Sequence, residues 1–507
     1  MTNTTAQRIA LNTAWFTFGS IGQKVFSFLY FTVIAMALGV GSTGKYFAAL
    51  AFTALFAMAA DWGISSVITR EVAKDRTRGL SLFRAALRCK IVTILCTAAV
   101  VTVVAFMVGY SPEMRRAIAI ATLAFVVDST HLVLFAVLRG LQRVHYEAIG
   151  TIMNQITVTI IGLLLLVLIA GIRFGGGTWL TATRHIDTAW LLVPFVLASM
   201  MSLGIAIYGL VRERVLRDLH HVTRGSWRWL IRNATPFAFT AMLARVYTYS
   251  DTFLLSLLAP AIAVGYYSTP FKIAFAFQFI PLALVGALYP AMSEAAARDR
   301  NRLADIFTEG VRMLLLVALP IAFGMSVLAR RMLLTVYGAS FLPSAIPLTI
   351  LAAAIPFTFV NFPAGYLLNA VDRQATNTKL IAIATACSVL LNLVLIPPLH
   401  AVGAAISAFV ATALLTVMNF IAVYRVVPYT FHALLRPTLR ILCACGAMSA
   451  LLLIASPLPL AGLIALGAIT WVVAALLVGA VQRSDLIFLR GMIRRRERTV
   501  PVVNATS

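Results

Sequence analysis

The chain has 507 residues, of which 61% are hydrophobic and only 11% charged, with a mean hydropathy of +0.94. Soluble domains run near ~45–50% apolar and ~25% charged, so this composition excludes a water-soluble globular protein. The net charge of +24 raises nucleic acid as a partner, but the placement of the charge along the chain excludes it.

Apolar segments are expected near 12–38, 45–68, 88–109, 115–138, 148–171, 188–210, 232–258, 262–290, 311–330, 341–370, 379–397, 401–424, 437–456 and 459–481. Each approaches the ~20 residues that cross a hydrocarbon core as a helix. Lipid satisfies no backbone donor or acceptor, and the runs lack the alternation of a barrel strand, so the spans are helices. The first run contains Ala35-Met36-Ala37, which resembles a signal-peptidase site. It is too long for a leader and carries Lys24, so it is expected to be retained as the first span.

Fourteen crossings put both termini on one side. Of the 41 Lys and Arg residues, 31 then fall in the loops and tails of that side and seven on the other, leaving Lys24, Arg245 and Lys272 within spans. An excess of basic residues marks cytoplasmic loops, so both ends are expected in the cytoplasm, with anionic membrane lipids as partners. The segment 70–90 (REVAKDRTRGLSLFRAALRCK) mixes basic and apolar residues and is expected to lie on the lipid surface. The longest loop on the other side, roughly 172–187, is too short for a domain with its own core.

Two short outer turns are alike, GSTGKYFAAL (41–50) and AIAVGYYSTP (261–270), each with a Gly followed two residues later by Tyr. Counting back twenty residues from Gly44 and Gly265 reaches Lys24 and Arg245. Downstream, EVAKDR (71–76) matches EAAARDR (294–300). A repeat of six spans is therefore expected, with the two halves rocking about a site between them. The chain divides into an N-terminal lobe (1–210), a cytoplasmic linker (211–231), a C-terminal lobe (232–424), appended helices 13 and 14 (437–481) and a basic cytoplasmic tail (482–507). The fold class is all-α: a polytopic membrane protein of about 14 transmembrane helices, in two six-helix lobes plus two.

The ionisable residues within spans are Lys24, Asp61, Asp128, His131, Arg245, Asp251 and Lys272. A charge at mid-bilayer is costly and faces a bundle interior or a wet cavity. Two readings stay open. Each cation pairs with an acid, Lys24 with Asp61 and Arg245 or Lys272 with Asp251; or the three cations line a cavity that receives an anionic group. Arg245, Thr248, Tyr249 and Thr252 share one helical face, with Asp251 turned away. With Tyr247 nearby, this stretch suits phosphate oxygens and sugar rings, because Arg offers a planar fork and Lys a mobile point charge. Asp128 and His131 can meet at i, i+3. Pro270, Pro281 and Pro290 in span 8, and Pro356 and Pro363 in span 10, are expected to bend those helices. No nucleotide-binding loop or hydrolase motif is present, so no catalytic residue, metal site or internal ATPase is expected.

Three stretches, RGLQRVHYEAIG (139–150), ARVYTYSDTFLLS (244–256) and VGYYSTPFKIAFAFQFIPLALVGALYPAMS (264–293), resemble the polysaccharide transporter family. These are oligosaccharide-lipid flippases of the MATE-like multidrug/oligosaccharidyl-lipid/polysaccharide superfamily. The resemblance implies two six-helix lobes around a central cavity, alternating access, and an undecaprenyl-diphosphate-linked sugar repeat unit as cargo. It further implies transport to the outer leaflet of a bacterial inner membrane, feeding polymerase and export machinery for exopolysaccharide or O-antigen. In related lipid II flippases, cations on the first and eighth helices face the cavity, and Lys24 and Lys272 occupy comparable helices. Lys24, Arg245, Lys272, Tyr249 and Tyr247 are thus the candidate substrate-binding residues. Asp61, Asp128 and Asp251 are candidates for coupling to H+ or Na+, the one cofactor expected. The rival readings are a cation or multidrug antiporter, a lipid II flippase and a membrane-bound glycan polymerase.

Overall fold

The computed structural model describes residues 3–173, 181–182, 187–221 and 225–481, with side chains in the first helix from Gly22 onward. The expected tail, 482–507, lies outside the described residues. Among those described, eleven helical segments are long and apolar enough to cross a membrane. Two of them are double. The helix Asn3–Asp61 breaks at Gly39 (φ 71°), and Gln374–Tyr424 breaks at His400 (φ 48°) after Pro397 and Pro398. Trp227–Leu258 is also long enough, but Arg245, Asp251 and a run of hydroxyl side chains lower its hydropathy. Fourteen crossings result, numbered here as spans 1 to 14. The only strand pairing among the described residues joins Ile172–Arg173 to Thr181–Ala182 at the turn before span 6.

Three junctions repeat between the halves. Span 3 (Arg76–Met107) begins at Asp75, whose carboxylate accepts from the backbone N–H groups of Thr77 and Arg78. Span 9 (Arg300–Tyr337) begins at Asp299, which accepts from Asn301 and Arg302 in the same way. Each acid satisfies donors that a helix start leaves unpaired. The turn after span 4 (Pro112–Gly140) places Gln142 at φ 64° and closes Arg143 N–H onto Leu138 C=O; the turn after span 10 (Ala345–Ala370) places Asp372 at φ 60° and closes Arg373 N–H onto Leu368 C=O. The third junction is the pair of glycine turns. A Cβ on Gly44 would lie 1.9 Å from the Ala261 carbonyl oxygen, and one on Gly265 would lie 2.2 Å from the Val40 carbonyl oxygen. Only glycine lets these backbones approach so closely.

The packing divides by depth. Toward the glycine turns, one continuous apolar core joins both halves, with Phe31, Tyr46, Phe47 and Phe52 from spans 1 and 2 and Val264, Ile273, Phe341 and Phe359 from the second half. Toward the opposite, basic face the core separates. One cluster gathers Ile68, Phe83, Phe135 and Ala206 of the first half, and another gathers Met292, Phe307, Leu367 and Val423 of the second. The two lobes thus share one core toward the glycine turns and keep separate cores toward the basic face.

Span 7 (Trp227–Leu258) belongs to both lobes. Near the basic face, Leu230 and Ala234 sit in the first lobe's core and Thr235 accepts from the Trp62 indole at 3.4 Å. Beyond, Asp251 engages the second lobe. Spans 13 (Phe431–Ile454) and 14 (Leu460–Leu477) pack on span 9 through Ile441, Cys445, Met448 and Leu463.

One expectation is corrected, and the bend expected in span 8 is found. The segment 70–90 does not lie flat on lipid. The helix Ile64–Lys74 ends at Asp75, span 3 then begins, and Leu80, Leu82, Phe83 and Ala86 are buried in the first lobe. Span 8 runs as two helices, Ala261–Phe275 and Phe279–Arg298, joined by a 3-10 turn at Ala276–Gln278. Pro281 has no N–H for the carbonyl of Phe277, which accounts for the tightened turn. The bend falls four residues after Lys272.

Candidate functional site: cations within the membrane spans

Helical rise sets the depth of the three cations. Lys24 lies about 22 Å from the Gly39 turn, Arg245 about 20 Å from the end of span 7 and Lys272 about 17 Å from the start of span 8. All three are thus within about one helical turn of a common level. Each is half-buried, and none is in an ion pair among the described residues. Lys24 and Lys272, from opposite lobes, lie close enough for their charges to repel. The Lys272 ammonium sits 5.7 Å from the ring centroid of Phe47, at the underside of the fused core. Arg245 lies over its own neighbour Tyr249, guanidinium carbon to ring centroid 5.7 Å, and feels the charge of Asp128 across the gap. Thr248, on the same face of span 7, is exposed. The arrangement is a set of half-buried cations, aromatic rings and hydroxyls in spans 1, 7 and 8. Such a surface binds an anion carried on a polar, hydroxylated body.

The acids hold other partners than those expected. Asp61 does not pair with Lys24. It accepts from Lys90 at 2.9 Å and from Ser65 at 2.6 Å, and both Asp61 and Lys90 are buried. Asp251 pairs with neither Arg245 nor Lys272. Its carboxylate accepts from Tyr267 Oη at 2.9 Å, Ser388 Oγ at 3.0 Å and Asn392 Nδ2 at 2.6 Å, wholly inside the second lobe. Asn392 Oδ1 beside it is buried without a donor. Asp128 accepts from Ser199 Oγ at 2.5 Å and lies 3.7 Å from His131 Nδ1, so the i, i+3 meeting does occur.

Tyr247 separates from the other site residues. It lies one turn from Asp251 and its hydroxyl meets Thr412 Oγ1 at 3.5 Å, so it faces the second lobe rather than the gap. Lys90 is the charged residue that sequence reading missed, because span 3 was expected to begin near residue 88. The Asp75 cap moves that start to Arg76 and carries Lys90 about 21 Å into the helix. An Asp followed by a basic helix start, repeated at Asp299, was the available signal.

Fold and charge placement define a two-lobed, multi-pass membrane transporter. A sequence profile described as polysaccharide biosynthesis protein matches residues 9–296, and a MatE profile matches residues 236–397. The chain belongs to the polysaccharide biosynthesis protein family, as a polysaccharide transporter or flippase of the MOP superfamily and not an enzyme. It is 21% identical over 394 residues to the probable low-salt glycan biosynthesis flippase Agl15 of Haloferax volcanii, covering 77% of this chain and 78% of that protein. It is also 26% identical over 172 residues to the probable flippase AglR of the same organism, covering 33% and 36%. The fold is similar to the lipid II flippase MurJ in its inward closed conformation, with TM-score 0.73, 13% identity and coverage of 92% and 98%. It is similar as well to an inward-facing multidrug resistance MATE family transporter, with TM-score 0.61, 12% identity and coverage of 81% and 94%.

Proposed function

We propose that this chain moves undecaprenyl-diphosphate-linked oligosaccharide repeat units across a bacterial inner membrane, for exopolysaccharide or O-antigen assembly. Both termini and the basic face lie in the cytoplasm in this reading. What supports it is the presence of Lys24, Lys272 and Arg245 as half-buried cations within spans of both halves, none in an ion pair among the described residues. A diphosphate supplies the missing negative charge, Arg245 takes its oxygens through a planar fork, and Tyr249 and Thr248 meet sugar. One of the two relatives is named for glycan biosynthesis, which favours a lipid-linked glycan as the cargo class. They are archaeal, so undecaprenol rests on the resemblance in sequence alone.

With the cargo bound, separation of the Gly44–Gly265 contact and closure of the basic end expose the site to the other face. Coupling to H+ or Na+ falls most naturally to Asp251, a buried carboxyl with only neutral partners beside an unmatched carboxamide oxygen. Asp128 is the second candidate; Asp61 is already committed to Lys90. Otherwise, consumption of the cargo by a polymerase draws transport forward.

The test is a proteoliposome assay that follows a lipid-linked oligosaccharide from one leaflet to the other. Arg245→Ala is expected to abolish movement while leaving membrane insertion intact. A variant at normal rate would remove Arg245 from the site. Efflux of lipophilic cations that survives loss of all three cations would instead favour the antiporter, and complementation of a strain lacking lipid II export would favour that flippase.

A further inference from the structure

Two aspartates within the spans are committed inside a single lobe, Asp61 to Lys90 and Ser65, and Asp251 to Tyr267, Ser388 and Asn392. Asp128 is placed differently. Its Oδ1 accepts from Ser199 Oγ at 2.5 Å, yet 40% of its side chain is open. It lies about 24 Å from the start of span 4, against about 20 Å from the end of span 7 for Arg245, so the two share a level to within a helical turn. Their opposite charges attract, although no direct ion pair joins them.

Behind this carboxylate stands a nitrogen with nothing to bond. His131 Nδ1 is 3.7 Å from Asp128 Oδ1 and is buried without a hydrogen-bond partner. The residue is 9% exposed and its ring meets Phe135 edge-on, 5.4 Å between centroids. The other charge that reaches it, Lys90, is already held by Asp61. A shift of about 1 Å brings the carboxylate within hydrogen-bond range of an imidazole that carries its proton on Nδ1. The Asp128 side chain thus has two resting places, one turned to the Arg245 guanidinium and one turned to His131.

We propose that Asp128 sets the selectivity of the cationic site: it is the resident counter-charge of Arg245, and a ligand's phosphates displace it toward His131 in order to bind. It acts through Arg245 rather than on the cargo, as a positioning residue. The consequence is exclusion by charge. A singly charged phospholipid of the surrounding leaflet does no more than replace the carboxylate, and is repelled by it. A diphosphate brings further negative charge, for which Lys24 and Lys272 remain. The inference rests on the reading of the cargo as a diphosphate-linked lipid and adds how the more abundant anionic lipids are kept out.

The full-length protein in a neutral detergent is titrated with undecaprenyl diphosphate, undecaprenyl monophosphate and phosphatidylglycerol, with bound lipid counted by native mass spectrometry. Transport of a lipid-linked oligosaccharide is followed in proteoliposomes. Wild type is expected to prefer the diphosphate by about tenfold or more. Asp128→Asn is expected to bind all three lipids more tightly and to gain most for the singly charged ones, so that the preference falls below about threefold. Its KM and kcat are expected to fall together, because Arg245 then releases cargo slowly. Asp128→Glu is expected to restore the preference. His131→Phe keeps a ring but removes the receiving nitrogen, and is expected to weaken diphosphate binding severalfold; adding Asp128→Asn to it cancels that loss. The proposal is overturned if Asp128→Asn, or Asp128→Ser should the amide not fold, keeps the wild-type preference. It is also overturned if the loss in His131→Phe persists in the double variant. Failure of the cargo reading has another signature: Arg245→Ala then leaves diphosphate binding unchanged, and the proposal falls with it.

Discussion

Gly44 and Gly265, equivalent residues of the two halves, meet at the end of the molecule opposite the basic face so closely that neither has room for a Cβ. The contact joins the start of span 2 to the start of span 8, directly above the fused core and the three cations. It is a hinge point made of backbone, and any side chain there forces the lobes apart. Gly265→Val is therefore expected to insert and fold but to lose the outer closure and most transport. Accessibility of a cysteine replacing the buried Val264, in a background without the native cysteines, reads this out. Labelling from the outer side should rise severalfold in Gly265→Val, and unchanged labelling would show that the contact yields without opening.

The buried pair Asp61–Lys90 is a structural brace of the first lobe. Removing one partner of such a pair leaves an uncompensated charge and costs about 3–5 kcal/mol. Lys90→Met is expected to show that loss in detergent unfolding, and Asp61→Leu/Lys90→Met to recover most of it. If transport in the double variant stays near wild type, Asp61 has no part in ion coupling. Transport that collapses while stability recovers would return it to the candidates.

The number of crossings and the paired glycine turns were legible in the sequence because each follows from local pattern: apolar length and glycine spacing. Partners of the acids were not. Asp61 closes its helix, about 33 Å from the Gly39 turn, whereas Lys24 lies about 22 Å from it; Lys90 on the neighbouring span takes the acid instead, which depends on how spans 2 and 3 rotate against each other. Tyr247 and Tyr249 are two residues apart and so lie on different faces; composition placed both in the site, while the 100° step of the helix sends one to Thr412 and the other under Arg245. The repeated turn at Gln142 and Asp372 escaped notice because the residues differ and only the backbone conformation is shared.

Asp251 ties three spans together through Tyr267, Ser388 and Asn392. Asp251→Ala leaves those buried donors unmatched, at about 1–3 kcal/mol for each that finds no new partner. Asp251→Asn keeps the volume and is expected to be milder. If Asp251 binds the coupling ion, sodium or a lowered pH raises the melting temperature of wild type and leaves that of Asp251→Asn unchanged. Equal responses in both proteins would confine Asp251 to a structural role.

Arg245 and lysine differ in geometry rather than charge. Arg245→Lys keeps the cation at mid-depth but loses the fork and the stacking on Tyr249. Hydrogen bonds to charged groups contribute about 1.5–3 kcal/mol, so apparent affinity for a diphosphate lipid is expected to fall roughly 10–100-fold with membrane insertion unchanged. An unaltered affinity would mean that the site reads charge alone.

Lys24 and Lys272 are half-buried cations of opposite lobes, in no ion pair among the described residues, and the repulsion of their like charges opposes folding. Lys272→Met removes the repulsion and keeps the aliphatic contact with Phe47. Relieving strain of this kind typically gains about 0.5–2 kcal/mol. The expected signature is opposite in sign for the two readouts: a higher melting temperature and a lower transport rate. A drop in both would assign Lys272 to packing, and a rise in both would take the cargo's negative charge elsewhere in the molecule.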